Sequence, residues 1–551
     1  MRSRFPALVF LFCAVFFGAA ALNAQVAPPH VHIPQGELEG EATGMGPVAF
    51  KGIPYAAPPV GDLRWREPKP AAGWTGVRDA TKFRPACMQP ESRLMGISRS
   101  QMSEDCLYLN VWTLSVKPAQ AAPVMVWIHG GSFLTGAGSQ PTFDGSRLAM
   151  RGVVIVTINY RMGVFGYMAH PELSAESPNH TSGNYALLDQ MAALRWVREN
   201  IASFGGDPRN ITVFGESAGA SSIAYMMISP LAKGLFDKAI LESPGLLFAP
   251  EPELRRDYRG ITNMEAVGLA VGPHIAELRA LTADALMEKS FAASRKLFGV
   301  GGTGRTRLRA ATPLEDPTGV RLAWTPFADG YVIPEQLAKL YVDGHSMRIP
   351  VMAGTNQNEG NLFLTHFHPT NADGFNAWVD QAYAPCDKAV LALYAPPSGA
   401  TPDQIHAAAD RLLTDSLFLY GTFSVARATH GYLYRFTRVS PRAERLGLGA
   451  YHASELAYVF GHTLNAPDDY TEVDRKLSDQ MMTMWVHFAR TGDPRLMLSS
   501  DWTRIGSNGE VPYMEFGDTI TPKDFPDTTV QIFGQLWPPS GKAPTCVKSR
   551  D

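Results

Sequence analysis

Runs of apolar residues that stop at glycines or polar loops recur along the chain. Their spacing predicts buried strands alternating with amphipathic helices. Val124 to Ile128 is nearly all apolar, the pattern of a strand covered on both faces. A second such run, Val153 to Ile158, follows about 30 residues on, a spacing suited to strand, connection, strand units. Glu104 to Trp112 alternates and ends in aromatics, which predicts a sheet strand. Leu187, Met191, Leu194, Val197 and Ile201 recur every three or four residues, predicting a helix over 185–203 that Gly205-Gly206-Asp207-Pro208 ends. The β-branched run Ile211 to Phe214 reads as another strand, with further strands at Ala239 to Leu241, Val351 to Ala353 and Tyr432 to Tyr434 and a long helix over 476–490. Phe50 to Pro59 carries three prolines, so it is predicted to wrap the surface rather than form a long helix or central strand. The alternation predicts an α/β fold: a mostly parallel sheet with helices on both faces and ligands beyond the carboxyl ends of its strands. Residues 250–320 fit less well. Scattered helix formers, a glycine cluster from Gly299 to Gly304 and the alternating Arg305, Arg307 and Arg309 read as a solvated excursion, or else as a lid shaping a pocket.

Composition narrows the function. Hydrophobic residues at 45% and charged residues at 18% supply a large core, and a net charge of −3 argues against nucleic acid or an anionic membrane as partner. A small, neutral substrate fits better. At the N-terminus Arg2 and Arg4 precede an apolar run from Ala7 to Ala21 and a small-residue site ending at Ala24. This reads as a signal peptide over 1–24, too short for the roughly 20 residues of a membrane span. Nothing later is long and apolar enough to span. The expected product is one catalytic domain over 25–551, secreted or periplasmic. Removing the leader removes Cys13 and leaves Cys87, Cys106, Cys386 and Cys546. Four cysteines allow three pairings. The short separation favours Cys87 with Cys106; Cys386 and Cys546 are then either a bridge tying down the C-terminal tail or two thiols.

The candidate chemistry starts at Gly215-Glu216-Ser217-Ala218-Gly219, where the Ile211 to Phe214 strand stops and small residues begin a helix. A serine at the apex of so tight a strand-to-helix turn is presented as a nucleophile. With 50 glycines in 551 residues, such a motif arises by chance in roughly one chain in four, so context must decide. Acyl transfer needs a base for the serine proton, an acid that orients the base, and N–H donors for the oxyanion.

Taken together with Phe50 to Pro59, Leu63-Arg64-Trp65, Glu104 to Trp112, His129-Gly130-Gly131, Asn358-Glu359-Gly360, His452 with Glu455, and Thr491-Gly492-Asp493-Pro494, the motif makes the chain similar to the carboxylesterase/lipase type B family of α/β-hydrolases. The resemblance covers nearly all of residues 28–540. It implies an α/β-hydrolase fold and a serine esterase that needs no metal or cofactor. Ser217 would be the nucleophile, His452 in Gly449 to Glu455 the base, and Glu359, the only acid in its loop, the orienting group, in the order Ser, Glu, His. His366, His368 and His462 are read as ordinary histidines. The resemblance places the oxyanion donors at Gly131, Ser132 and Ala218, with Ser132 departing from the commonest His-Gly-Gly-Gly pattern; a main-chain donor tolerates serine if φ permits. It also puts Glu216 near His452, Ser243 near the acid, and Arg64 with Glu104 as an ion pair holding the Cys87 loop. A cholinesterase specificity is disfavoured, because Cys87 to Cys106 contains no aromatic residue to bind a quaternary ammonium. Two alternatives stay open: a catalytically silent binding domain, and the same triad acting on a thioester, lactone or amide.

Overall fold

The computed structural model describes residues 28–44, 46–92, 95–258, 261–298, 324–364, 369–464, 466–496, 501–506, 511–525, 528–538, 544 and 546. The predicted leader, the Gly299 to Gly304 cluster, the three alternating arginines, His366 and His368 lie outside them. Eleven strands form one sheet: β1 Glu41–Ala42, β2 Val48–Pro54, β3 Tyr108–Thr113, β4 Ala122–Ile128, β5 Val154–Ile158, β6 Gly206–Glu216, β7 Lys238–Glu242, β8 Val351–Asn356, β9 Tyr432–Phe436, β10 Pro512–Phe516 and β11 Ile520–Asp524. Across the sheet the order is β11-β10-β9-β8-β7-β6-β4-β5-β3-β2-β1. Every neighbouring pair from β5 through β10 is parallel, and antiparallel strands flank that block at both edges. The helices used below are α1 Tyr185–Asn200, α2 Ala218–Ile228, α3 Met264–Val271, α4 Ile275–Ala280, α5 Ala283–Phe298, α6 Pro402–Leu413, α7 Tyr420–Ala428 and α8 Glu472–Thr491.

Alternation along the strands divides the core between the two faces of the sheet. Val124, Val126, Ile128, Val154, Val156, Ile211 and Val213 join the apolar stripe of α1 on one face, where Leu187, Met191, Leu194 and Val197 are buried. Met125, Trp127, Ile155, Phe214 and Ile240 point the other way, against Met481, Met484, Trp485 and Phe488 of α8. Because both faces are covered, the parallel strands read as continuous apolar runs.

Two expectations change. Phe50 to Pro59 does not simply wrap the surface, since its first half belongs to β2, with Phe50 and Ile53 fully buried. The prolines permit this because Pro54 is the last strand residue and Pro58 and Pro59 lie beyond it. A register shift between Phe50 and Ile53 accommodates Gly52, at φ 67°, whose N–H donates to Asn110 Oδ1. The described part of 250–320 is likewise not a solvated excursion. Helices α3, α4 and α5 bury Met264, Val267, Ile275, Leu278 and Leu286 in the main core.

Both cysteine pairings, Cys87–Cys106 and Cys386–Cys546, are disulfides. Arg64 makes a two-pronged ion pair with Glu104, at 2.8 and 2.5 Å, and its Nη1 donates to the carbonyls of Leu278, Arg279 and Leu281. The pair therefore holds the end of α4 as well as the Cys87 loop. Among the described residues no helix is long and apolar enough to cross a membrane.

Candidate active site

Four loops leave the carboxyl ends of β4, β6, β8 and β9, and each supplies part of the site. Ser217 stands between β6 and α2 at φ 55°, ψ −123°, a strained conformation for a residue with a side chain. Its N–H donates to Glu242 O at 2.9 Å, pinning the turn to β7. The flanking glycines are required by the neighbouring strand: a Cβ on Gly219 would lie 2.0 Å from Ile128 O, and one on Gly215 2.6 Å from the same oxygen. Among the described residues the Ser217 hydroxyl makes no hydrogen bond to protein, and Ser217 is partly exposed.

The loop after β4 lies against this serine. A Cβ on Gly130 would come within 2.7 Å of Glu216 Oε2 and 3.0 Å of Ser217 Cβ. His129 anchors the loop: its ring stacks on Tyr160 at 4.4 Å, and Tyr160 Oη donates to His129 O at 2.7 Å. Burial pushes the His129 imidazole down to about 4, so it is neutral and structural. Gly131 has φ 107° and Ser132 φ 56°, so serine occupies the left-handed region that glycine would enter without strain. The turn closes through Leu134 N and Thr135 N, both donating to Gly131 O. Among the described residues the N–H groups of Gly131, Ser132 and Ala218 meet no protein acceptor.

The loops after β8 and β9 are stitched together. Asn358 N donates to Ala450 O, Ala450 N to Asn358 Oδ1, and Asn356 Nδ2 to Tyr451 O. That seam brings Glu359 Oε2 within 2.6 Å of His452 Nδ1. Glu359 is fully buried, and its other oxygen accepts from Asn356 N at 2.7 Å and Ser243 Oγ at 2.5 Å. Phe418 and Phe363 cover the imidazole, with ring centroids 4.7 and 5.3 Å away. Phe418 is carried by a π-helical turn, Thr414–Leu419, between α6 and α7.

The second nitrogen of His452 lies 3.0 Å from Glu216 Oε1, but not in line for a hydrogen bond, so Glu216 acts on it chiefly as a charge. Burial by itself pushes the His452 imidazolium down, yet the charges of Glu216 and Glu359 outweigh it and raise the group to about 9. Glu216, buried beside it, is raised by burial to about 7, against the opposing pull of His452. Glu242 and Glu455 complete a group of buried carboxyls. Burial raises Glu242 to about 8 and Glu455 well above the carboxylate range. Glu242 accepts from Trp485 Nε1 at 2.9 Å, and Glu455 accepts from Asn356 Nδ2.

The structure thus places Glu359 and His452 in contact, Ser243 on Glu359 and Glu216 on His452. His462 lies apart, with Nε2 hydrogen-bonded to Thr142 O. Sequence reading did not single out Asn356, which ties Glu359, Tyr451 and Glu455 together, or Phe418, which covers His452. The side chains of Asn356, Asn358 and Glu359 crowded into one strand-end loop were the available signal for the first. Phe418 looked like any other helical aromatic.

Comparison with known proteins agrees with this geometry. The sequence profile of the Carboxylesterase family matches residues 27–532. Fumonisin B1 esterase of Sphingopyxis macrogoltabida is 36% identical over 522 residues, covering 91% of this chain and 90% of that protein. Para-nitrobenzyl esterase of Bacillus subtilis is 37% identical over 476 residues, covering 83% of this chain and 89% of that protein. A solved PNB esterase superposes with a TM-score of 0.74 at 32% identity, covering 92% of this chain and 99% of that one. The chain belongs to the carboxylesterase family and is a carboxylic ester hydrolase with the α/β-hydrolase fold.

Proposed function

We propose that residues 25–551 act as one exported serine esterase domain working by double displacement on Ser217. The observation that carries this is His452, clamped through Nδ1 to a buried Glu359 and 3.0 Å through its other nitrogen from Glu216, the neighbour in sequence of the strained Ser217. When an ester carbonyl occupies the site, His452 Nε2 turns from Glu216 to Ser217 Oγ and takes its proton as the new C–O bond forms. The carbonyl oxygen becomes an oxyanion, met by the N–H groups of Gly131, Ser132 and Ala218. The tetrahedral adduct collapses, the bond to the alkoxy oxygen breaks, and the imidazolium returns the proton to the departing alcohol. Water then repeats the sequence on the acyl-enzyme, giving up a proton to His452 and releasing the acid. Glu359 stabilises the imidazolium without taking the proton.

The substrate is a small carboxylic ester. Two disulfides support export to an oxidising compartment after loss of the 1–24 leader. Ser217→Ala abolishes hydrolysis of an aryl ester while the protein stays folded, and an organophosphonate forms one covalent adduct per chain, mapped to Ser217 by mass spectrometry. Retention of most activity by Ser217→Ala refutes the assignment. N-terminal sequencing of the exported protein, expected to begin at Gln25, tests the leader.

A further inference from the structure

The loop after β4 carries two of the proposed oxyanion donors in a conformation that has to be held. Gly131, Ser132 and Phe133 follow one another at φ 107°, 56° and 60°, and the last two bear side chains in the left-handed region. Two such residues in succession persist only where the surroundings fix them. At the start of this oxyanion loop the fixing contact is Tyr160 Oη, which donates to His129 O at 2.7 Å. Further on, the loop folds back on itself. Leu134 N and Thr135 N donate to Gly131 O, a Cβ on Gly131 would meet Thr135 O at 2.0 Å, and a Cβ on Gly136 would meet Gly130 O at 2.7 Å. The Gly130 and Gly131 peptides therefore lie directly on those of Thr135 and Gly136, and where Gly136 sits decides where the donors sit.

Gly136 is gripped by a side chain from a distant part of the chain. Gln89, almost fully buried, accepts from Gly136 N at 2.7 Å through Oε1, and its Nε2 donates to Gly136 O at 2.8 Å and to Cys87 O at 2.9 Å. Pairing with the N–H and the C=O of one residue needs an acceptor and a donor side by side, which an amide offers and a carboxylate does not. Every polar atom of the Gln89 side chain is thus committed to backbone. The backbone of Gln89 is itself anchored, two residues after Cys87 in the disulfide to Cys106. Asn159 braces the same segment: its Nδ2 donates to Pro85 O and Cys106 O, and its Oδ1 accepts from Gly138 N, two residues beyond the gripped glycine. None of the acyl-transfer steps uses Gln89.

We propose that Gln89 is a positioning residue for ester hydrolysis, its two-point grip on Gly136 keeping the Gly131 and Ser132 N–H groups where the oxyanion forms. The proposal rests on the esterase reading with Ser217 as nucleophile. Displaced donors weaken the transition state and leave the bound ester nearly untouched. The test compares the mature chain with Gln89→Met, which keeps the length of the side chain and removes all three hydrogen bonds. Gln89→Glu, which keeps an acceptor for Gly136 N and loses both donations, supplies the same comparison where Gln89→Met does not fold. Three quantities are measured on protein that circular dichroism shows to be folded: kcat/KM for p-nitrophenyl acetate, and inhibition by a phenylalkyl trifluoromethyl ketone and by the matched methyl ketone. Ser217 Oγ adds to the trifluoromethyl ketone, its proton passes to His452 and the carbonyl oxygen becomes an oxyanion, whereas the methyl ketone binds without adding. In the variant kcat/KM falls about 10²-fold, the size of losing one oxyanion donor. Binding of the trifluoromethyl ketone weakens by the same factor, and binding of the methyl ketone changes less than about threefold. A fall in kcat/KM below about tenfold, an unchanged trifluoromethyl ketone, or equal weakening of both ketones overturns the proposal. Failure of the Ser217 assignment has a different signature: Ser217→Ala then retains activity, and the parent protein binds the two ketones alike.

Discussion

Replacing Glu216 with glutamine removes a charge beside the proposed base and nearly nothing of its shape. The carboxylate lies 3.0 Å from His452 Nε2. At an effective dielectric of about 20 a full unit charge at that distance is worth roughly 5 kcal/mol, close to four pH units. The observed environment limits the effect. His452 is raised from 6.5 to about 9 by Glu216 and Glu359 together against the opposing cost of burial. Glu216, itself raised by burial to about 7, is ionised where His452 titrates, and it shares that net rise with Glu359. The share lost on substitution is then about one to two pH units. The sign follows from the charge: without the neighbouring carboxylate the imidazolium loses its proton more readily, and the active neutral base persists to lower pH. The acid limb of the kcat/KM profile, which reports the free enzyme, shifts down by about that amount in Glu216→Gln. The assay is p-nitrophenyl acetate hydrolysis from pH 5 to 10. A limb that stays in place, or moves to higher pH, refutes the idea that Glu216 sets the base's proton affinity.

Three further outcomes are expected. Glu359→Gln keeps the acceptor for Asn356 N and Ser243 Oγ but loses the charge facing the imidazolium, and kcat falls about 10³- to 10⁴-fold; a loss under tenfold in steady-state assays refutes its role. Gly130→Ala puts a Cβ 2.8 Å from Glu216 O and 3.0 Å from Ser217 Cβ, displacing the oxyanion loop, so kcat falls about 10²-fold or more in protein that circular dichroism shows to be folded. Glu242, raised by burial from 4.5 to about 8, stays protonated in the fold while the unfolded chain releases its proton, so it makes stability fall as pH rises between those values. Glu242→Gln cannot ionise; in urea titrations its stability relative to the parent protein rises by up to about 4 kcal/mol from pH 5 to pH 8, and a difference independent of pH refutes the assignment.

The linear pattern was enough to locate the parallel strands β4 to β9 and the strand-to-helix turn at Ser217, though not β10 at the edge of the parallel block, because strands buried on both faces must be apolar throughout and a close approach of backbones admits only glycine. Composition and cysteine spacing pointed to Cys87–Cys106 for a similar reason: short loops leave few partners. Candidates for the base and acid came from family likeness, since fourteen histidines look alike one at a time. Tertiary structure decided the rest. The Asn356 and Asn358 seam that sets Glu359 against His452, Phe418 over the imidazole, and Gln89 on Gly136 beneath the oxyanion loop all join residues far apart in the chain. So do the buried carboxyls Glu216, Glu242 and Glu455, whose proton affinities depend on what surrounds them after folding. Periodicity reports which face of an element is buried. It carries no record of which loop will lie opposite, and that pairing is what places a charge 3.0 Å from a base.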